Sequence, residues 1–228
     1  YLVFQFFILF SVRFVNFSWK QKRIQILFFA ITVAILAFIL EPPIGWDLSR
    51  HFLWMNEIRD SNLSFNNFIF NNINGVGLYE YKNLIFYNLI RYIIIKLTYN
   101  NNWLPCICTF FNYIIVGYIA YDWEYTNHKH RKMSLITPFL CSAFLPFILV
   151  VSGIRTALAS SIAALAIYLY LYKKRRMILF IILMLISSTI HQVVLFSIPF
   201  VCLSKLKIGI KGLIFSISFS FIINIVSP

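Results

Sequence analysis

Two polar side chains sit where this sequence is otherwise apolar, a third opens a polar segment, and the types of all three are those of reaction chemistry. Arg155 lies in SGIRTALASSIAALAIYLY, His191 in SSTIHQVVLFSIPF, and Asp47 in GWDLSRHF. Arg155 follows Ser152-Gly153, which loosens the backbone, and it opens a new helix. A helix start offers unpaired N–H groups and the positive end of the dipole, and a guanidinium adds a planar fork of donors that matches phosphate oxygens. The plain alternative is an arginine reaching for outer lipid headgroups. His191 is an ionisable group inside an apolar run, a rare placement that marks candidates for function, with Gln192 and Ser188 as polar neighbours; a hydrogen bond across helices would also explain it. If their segment is helical, Asp47, Arg50 and His51 share one face by their spacing. A carboxylate there can serve as a general base and Arg50 can clamp an anion, whereas a solvated loop with local ion pairs is the plain reading.

A second tier of candidates lies nearby. Arg91 interrupts the apolar run 84–98, and Glu80 and Tyr81 stand just before it, within reach of a pocket or at headgroup level. No metal site is expected: His128 and His130 lack a third ligand, and Cys106, Cys108, Cys141 and Cys202 lack zinc-like spacing. No nucleotide-binding loop and no hydrolase motif occurs, so no cofactor is expected.

The elements that must position these groups are membrane helices. The 228 residues are 61% hydrophobic and only 12% charged, with a mean hydropathy of +0.80, against about 25% charged in a soluble domain. The apolar runs, roughly 1–17, 24–40, 84–98, 103–121, 135–152, 156–172, 177–203 and 212–226, are continuous and lack the alternation of barrel strands. The expected fold is all-α, a polytopic transmembrane helical bundle with re-entrant or broken helices. It forms a single domain over 1–228, and the chain, which starts at Tyr1 inside an apolar run, reads as a fragment of a longer one. The net charge of +13 lies in blocks at the ends of apolar runs. That pattern is the positive-inside distribution, with attraction to anionic membrane lipids, and not a nucleic-acid surface.

Placing the blocks at 20–23, 128–132, 173–176 and 205–211 in the cytoplasm fixes a topology. Residues 24–40 run outward, and 41–83 form an extracytoplasmic loop. Residues 84–98 enter without crossing, 103–121 return, 135–152 go out and 156–172 come back. Asp122 and Glu124 then belong to a cytoplasmic loop. The run 177–203 becomes two half-helices bending near Ser187 to His191, since non-helical backbone at depth needs protein or a wet cavity around it. Arg155, His191 and the 41–83 loop meet on the outer side. Small residues from Ala157 to Ala166 make the 156–172 helix a central one.

The same three stretches carry a resemblance. SGIRTALASSIAALAIYLY resembles the G-I-R-x-x-[LI]-A segment, SSTIHQVVLFSIPF the S-x-x-H-x-[ST]-A-L-x-x-x-P segment and GWDLSRHF the external D-x-x-x-Y segment of the EpsG-type, Wzy-like polymerases of bacterial exopolysaccharide, capsule and O-antigen. Gln192, Val193 and His51-Phe52 depart from the family pattern. The resemblance implies a multi-pass protein of the bacterial plasma (inner) membrane. It implies a glycosyltransferase-type enzyme that joins oligosaccharide units carried on undecaprenyl pyrophosphate at the extracytoplasmic face, with a chain-length regulator as a further partner. It implies catalytic roles for Arg155, His191 and Asp47, and substrate binding by Arg50, His51, Arg91, Glu80 and Tyr81. A lipid-linked sugar flippase or other transporter, and a membrane sugar acyltransferase, are the rival readings.

Overall fold

The computed structural model describes residues 19–62, 64–68, 84–127, 146–199 and 201. The runs 1–17 and 212–226, the basic blocks 128–132 and 205–211, and Glu80 and Tyr81 lie outside the described residues. All regular structure among the described residues is helical, as the continuous apolar runs require.

Helix α1, Trp19–Ile39, starts in the Lys20–Arg23 block and then stays apolar. Its 21 residues reach roughly 31 Å, about the thickness of a hydrocarbon core. Pro42 and Pro43 keep it from continuing. A tight turn follows, in which the Trp46 N–H donates to the Pro43 carbonyl (3.2 Å). Gly45 supplies the left-handed φ of +95° that the third position of such a turn needs. The chain then enters α2, Asp47–Asp60. The segment 41–83, expected as a loop, thus holds a helix whose buried face is Leu48, His51, Met55 and Ile58, an i, i+3, i+4 stripe.

Helix α3, Ile85–Leu97, has 13 residues, about 20 Å, too short to span a membrane, as the sequence suggests for 84–98. A turn through Thr98–Asn102 leads to α4, Trp103–Asn127, and Pro105 fits there because the first helical turn needs no N–H from it. Helix α4 continues past Asp122 and Glu124, so these acids lie on a helix and not in a loop. The short α5, Phe147–Ser152, joins α6, Ile154–Ile167, through the single residue Gly153. A π-helical turn, Tyr168–Tyr172, extends α6 to a hairpin at Lys173–Arg176, and α7, Met177–Ile190, returns. The backbone breaks at extended His191, where the sequence places a bend, and a 3-10 turn, Gln192–Phe196, follows. A second compact unit begins at Leu195, and its described residues finish this turn and enter a helix.

Side-chain contacts fix the packing of the first unit. Phe29 meets Tyr113 edge-on, Phe38 meets Trp103 and buried Lys22 bridges Glu124 at 3.3 Å; α1 and α4 are therefore antiparallel. Tyr168 donates to Asp122 (2.6 Å) and Lys173 pairs with Asp122 at 2.7 Å, so α4 and α6 run parallel. The Ser187 hydroxyl donates to the Ala159 carbonyl (2.7 Å) and Tyr170 stacks on Phe180, so α6 and α7 are antiparallel. Buried Ala159, Ala163 and Ala166 make the close approach on α6 possible. One end of the bundle then gathers Ile39, Trp103, Ile154 and Ile190, and the opposite end gathers Lys20–Arg23 and Lys173–Arg176.

Candidate functional site

The turn at Gly45 delivers the first residue of α2 to the first-named end of the bundle, next to the break at Gly153. Asp47 is the hub there. Arg50, one turn on, donates to Asp47 Oδ1 through Nη2 (2.9 Å). His51 Nε2 donates to Asp47 Oδ2 (3.2 Å), and Arg155 Nη2 lies 3.5 Å from the same oxygen. The carboxylate at the N-terminus of α2 also faces the positive end of the helix dipole.

Aromatic rings wall the cluster. His51 is 0% exposed and meets Trp54 and Tyr87 edge-on. Arg91, 2% exposed, donates to the Asn88 side chain and lies over Trp54 and Tyr87. The Arg155 guanidinium also stands over Tyr87, 5.9 Å from its centroid. Cation–π contact of this kind holds a guanidinium without neutralising it. Among the described residues the cluster therefore sets three guanidiniums against one carboxylate, a surplus of positive charge that favours a multiply charged anion.

The electrostatics assign protonation states. The hydrogen bond from His51, with help from His51, Arg155 and Arg50 as charges and against some burial, pushes the Asp47 carboxyl down to about 2. Burial, outweighing the pull of Asp47, pushes His51 down to about 4. At neutral pH Asp47 is a carboxylate and His51 a neutral donor to it. His191 is drawn into the same field, since it interacts electrostatically with both Arg155 and Asp47. Its Nδ1 accepts the Val193 N–H (3.2 Å), which leaves Nε2 as the protonated, donating nitrogen of the neutral ring.

The structure thus brings together Asp47, Arg50, His51, Arg91, Arg155 and His191 out of the residues the sequence marks, and describes neither Glu80 nor Tyr81. Arg155, which the sequence presents as a solitary cation at a helix start, has Asp47 as its counter-ion. Tyr87, Trp54 and Asn88 are additions. Their signal was available: Tyr87 precedes Arg91 by four residues and Asn88 by three, one polar stripe along an apolar helix. No group of three or more His, Cys, Asp or Glu with metal-binding placement occurs among the described residues.

Residues 49–228, most of the chain, match the family model described as the EpsG family. The chain belongs to the EpsG family. No curated protein and no solved structure matches it. The EpsG match takes in Arg50, His51, Arg91, Arg155 and His191 and begins two residues after Asp47. Membership brings a polysaccharide-polymerase type of function. Together with helices Lys20–Ile39, Trp103–Asn127 and Ile154–Tyr172, each long and apolar enough to cross a bilayer, it makes this EpsG protein a membrane protein.

Proposed function

We propose that the protein polymerises oligosaccharide units of a bacterial exopolysaccharide, capsule or O-antigen. Each unit is carried on undecaprenyl pyrophosphate, and the reaction occurs at the extracytoplasmic face of the plasma membrane. The observation that carries the reading is the arginine-rich cluster around Asp47, at the end of the bundle away from Lys20–Arg23 and Lys173–Arg176. A hydroxyl of the acceptor unit attacks the anomeric carbon of the donor glycan, and the bond from that carbon to the pyrophosphate oxygen breaks. Negative charge grows on the departing pyrophosphate, and preorganised cations placed where charge develops lower the barrier most. Arg155 and Arg50 hold that charge, Arg91 adds to the field from behind the rings, and the Nε2–H of His191 donates to a phosphate oxygen.

Asp47 is better suited to positioning than to proton abstraction. A carboxyl pushed down to about 2 is a weak base at neutral pH, and its three neighbours already use its oxygens. It holds the two arginines apart and aligned until pyrophosphate replaces it, and the departing pyrophosphate takes the acceptor proton. Chain energy comes from the lipid-linked donor, so no nucleotide is required. A chain-length regulator is the expected protein partner.

The test is complementation of a deletion strain with Arg155→Ala and Arg155→Lys, reading polymer length and the lipid-linked units. Loss of polymer, with single units accumulating outside the cell, is the expected result for Arg155→Ala. Lysine recovers little because it lacks the planar fork. Full-length polymer from Arg155→Ala defeats the assignment, and units accumulating inside the cell would indicate a flippase instead.

A further inference from the structure

A second pocket lies at the other end of the groove between α2 and α3. Arg59 stands twelve residues beyond Asp47 on α2, about 18 Å along the helix, so this pocket is distinct from the Asp47 cluster. It is a cavity of about 480 Å³, within the range that holds a small organic ligand. Arg59 and Lys96 line it, and no lining residue is acidic. Arg59 is held in place: Nη1 donates to Asn56 and Nη2 to Asn101, both at 2.8 Å, and the guanidinium lies over Tyr99. Its Nε is buried and has no hydrogen-bond partner among the described residues. Lys96 lies over the Tyr92 ring, 5.5 Å from its centroid.

Two cations with no carboxylate among the lining residues ask for an anion. The rest of the wall asks for more than charge. Asn62, held at a left-handed φ of 45° as it closes α2, and Thr98 offer uncharged hydrogen-bonding groups. Tyr99, 89% exposed, offers an open ring, and buried Tyr92, Ile58 and Ile95 supply an apolar floor. Hydroxyl-matching groups, one open ring and two cations match a carboxylated sugar: hydroxyls around an apolar C–H face with one carboxylate. A phospholipid headgroup would leave the Tyr99 ring and the Asn62 amide unused.

We infer that this pocket is a saccharide subsite that takes an acidic sugar residue of the glycan while another part of that glycan occupies the Asp47–Arg155 cluster. The inference rests on the glycan-joining function proposed above, and it adds the chemical class of the substrate. A bidentate or charge-assisted contact from a fixed guanidinium adds both affinity and register.

Isothermal titration on the protein in phosphatidylcholine nanodiscs, with trigalacturonate and uncharged maltotriose as probes, tests it. Trigalacturonate should bind and maltotriose should bind at least tenfold more weakly. Lys96→Gln should weaken trigalacturonate about tenfold, the scale of one charged hydrogen bond. Lys96 is exposed and Tyr99 is 89% exposed, so Lys96→Gln and Tyr99→Ala test the pocket without disturbing the core, which Arg59→Gln does not guarantee. Equal binding of the two probes, or unchanged binding by Lys96→Gln and Tyr99→Ala, overturns the inference. So does Lys96-dependent displacement of trigalacturonate by added phosphatidylglycerol, which would make the occupant a lipid. If the deletion strain accumulates lipid-linked units inside the cell while Lys96→Gln still loses the trisaccharide, the polymerase reading fails and the subsite stands.

Discussion

His51 shows how tightly the cluster is tuned. The imidazole is fully buried, with the Asp47 carboxylate on its own helix, Arg91 facing it from α3 and Arg155 from α6. Burial, and secondarily the two guanidiniums, oppose a charge on the ring more than Asp47 favours it. The folded value of about 4 lies below the ordinary 6.5, so between these pH values the unfolded chain binds a proton that the folded chain refuses. Stability is full above pH 6.5 and falls as pH drops toward 4, on the order of 1 kcal/mol per pH unit in that window. The Asp47 contribution is full above its ordinary 3.8 and fades only as pH falls toward 2, so it adds a later, separate loss. Thermal unfolding in nanodiscs from pH 7.5 to 4.5 should show a declining midpoint, and His51→Gln, which keeps a donor to Asp47 but cannot titrate, should flatten it. A wild-type midpoint indifferent to pH in that range would exclude this protonation scheme. Arg91, Arg155 and His191 were legible from sequence because ionisable groups amid apolar runs are few, and Asp47, Arg50 and His51 because their spacing places them on one helix face. Their pairing was not: Asp47 and Arg155 are far apart in the chain, and no spacing rule links α2 to α6.

At the scale of elements, the contact of α1 with α4 sets how the bundle closes. A Cβ on Gly117 would come 2.5 Å from Ile26 Cγ2, and a β-branched side chain on a helix has almost no other rotamer to offer. Gly117→Leu should therefore force the two helices apart, at a cost of about 1–3 kcal/mol. Its unfolding midpoint should drop, and Ile26→Ala should restore part of the loss in the double variant; independent, additive effects would mean that the two residues do not meet. The long helices, the short α3 and the break at His191 were legible because length, apolar runs and polar interruptions are local properties. Helix α2 was harder to read because it is polar on most of its surface, and its apolar stripe is short and lies among Asn-rich turns. The helical setting of Asp122 and Glu124 was hidden for a different reason. Acids near the end of an apolar run read as loop, and their partners on other elements, Lys173 and Tyr168 for Asp122 and Lys22 for Glu124, hold them in the packed bundle.

For the molecule as a whole, the decisive property is that its two ends use cations differently. At one end Lys20–Arg23 and Lys173–Arg176 sit beside helix termini, and Lys174, Arg175 and Arg176 are exposed. At the other, Arg91 and Arg155 are drawn into the protein among rings and a carboxylate. Cations near the ends of membrane helices bias those ends toward the cytoplasm, and the dense exposed cluster at Lys174, Arg175 and Arg176 outweighs the scattered Arg50 and Lys96 at the other end. The hairpin at Lys174 should therefore face the cytoplasm, and the turn at Asn100, beside Arg59 and the second pocket, should face outward. A membrane-impermeant maleimide applied to spheroplasts carrying single-cysteine variants, on a background lacking the four native cysteines, reads this directly. Asn100→Cys should label before lysis and Lys174→Cys only after it. The reverse pattern would put the arginine cluster in the cytoplasm, where a glycan already carried across the membrane could not reach it, and the polymerase reading would fall with the topology.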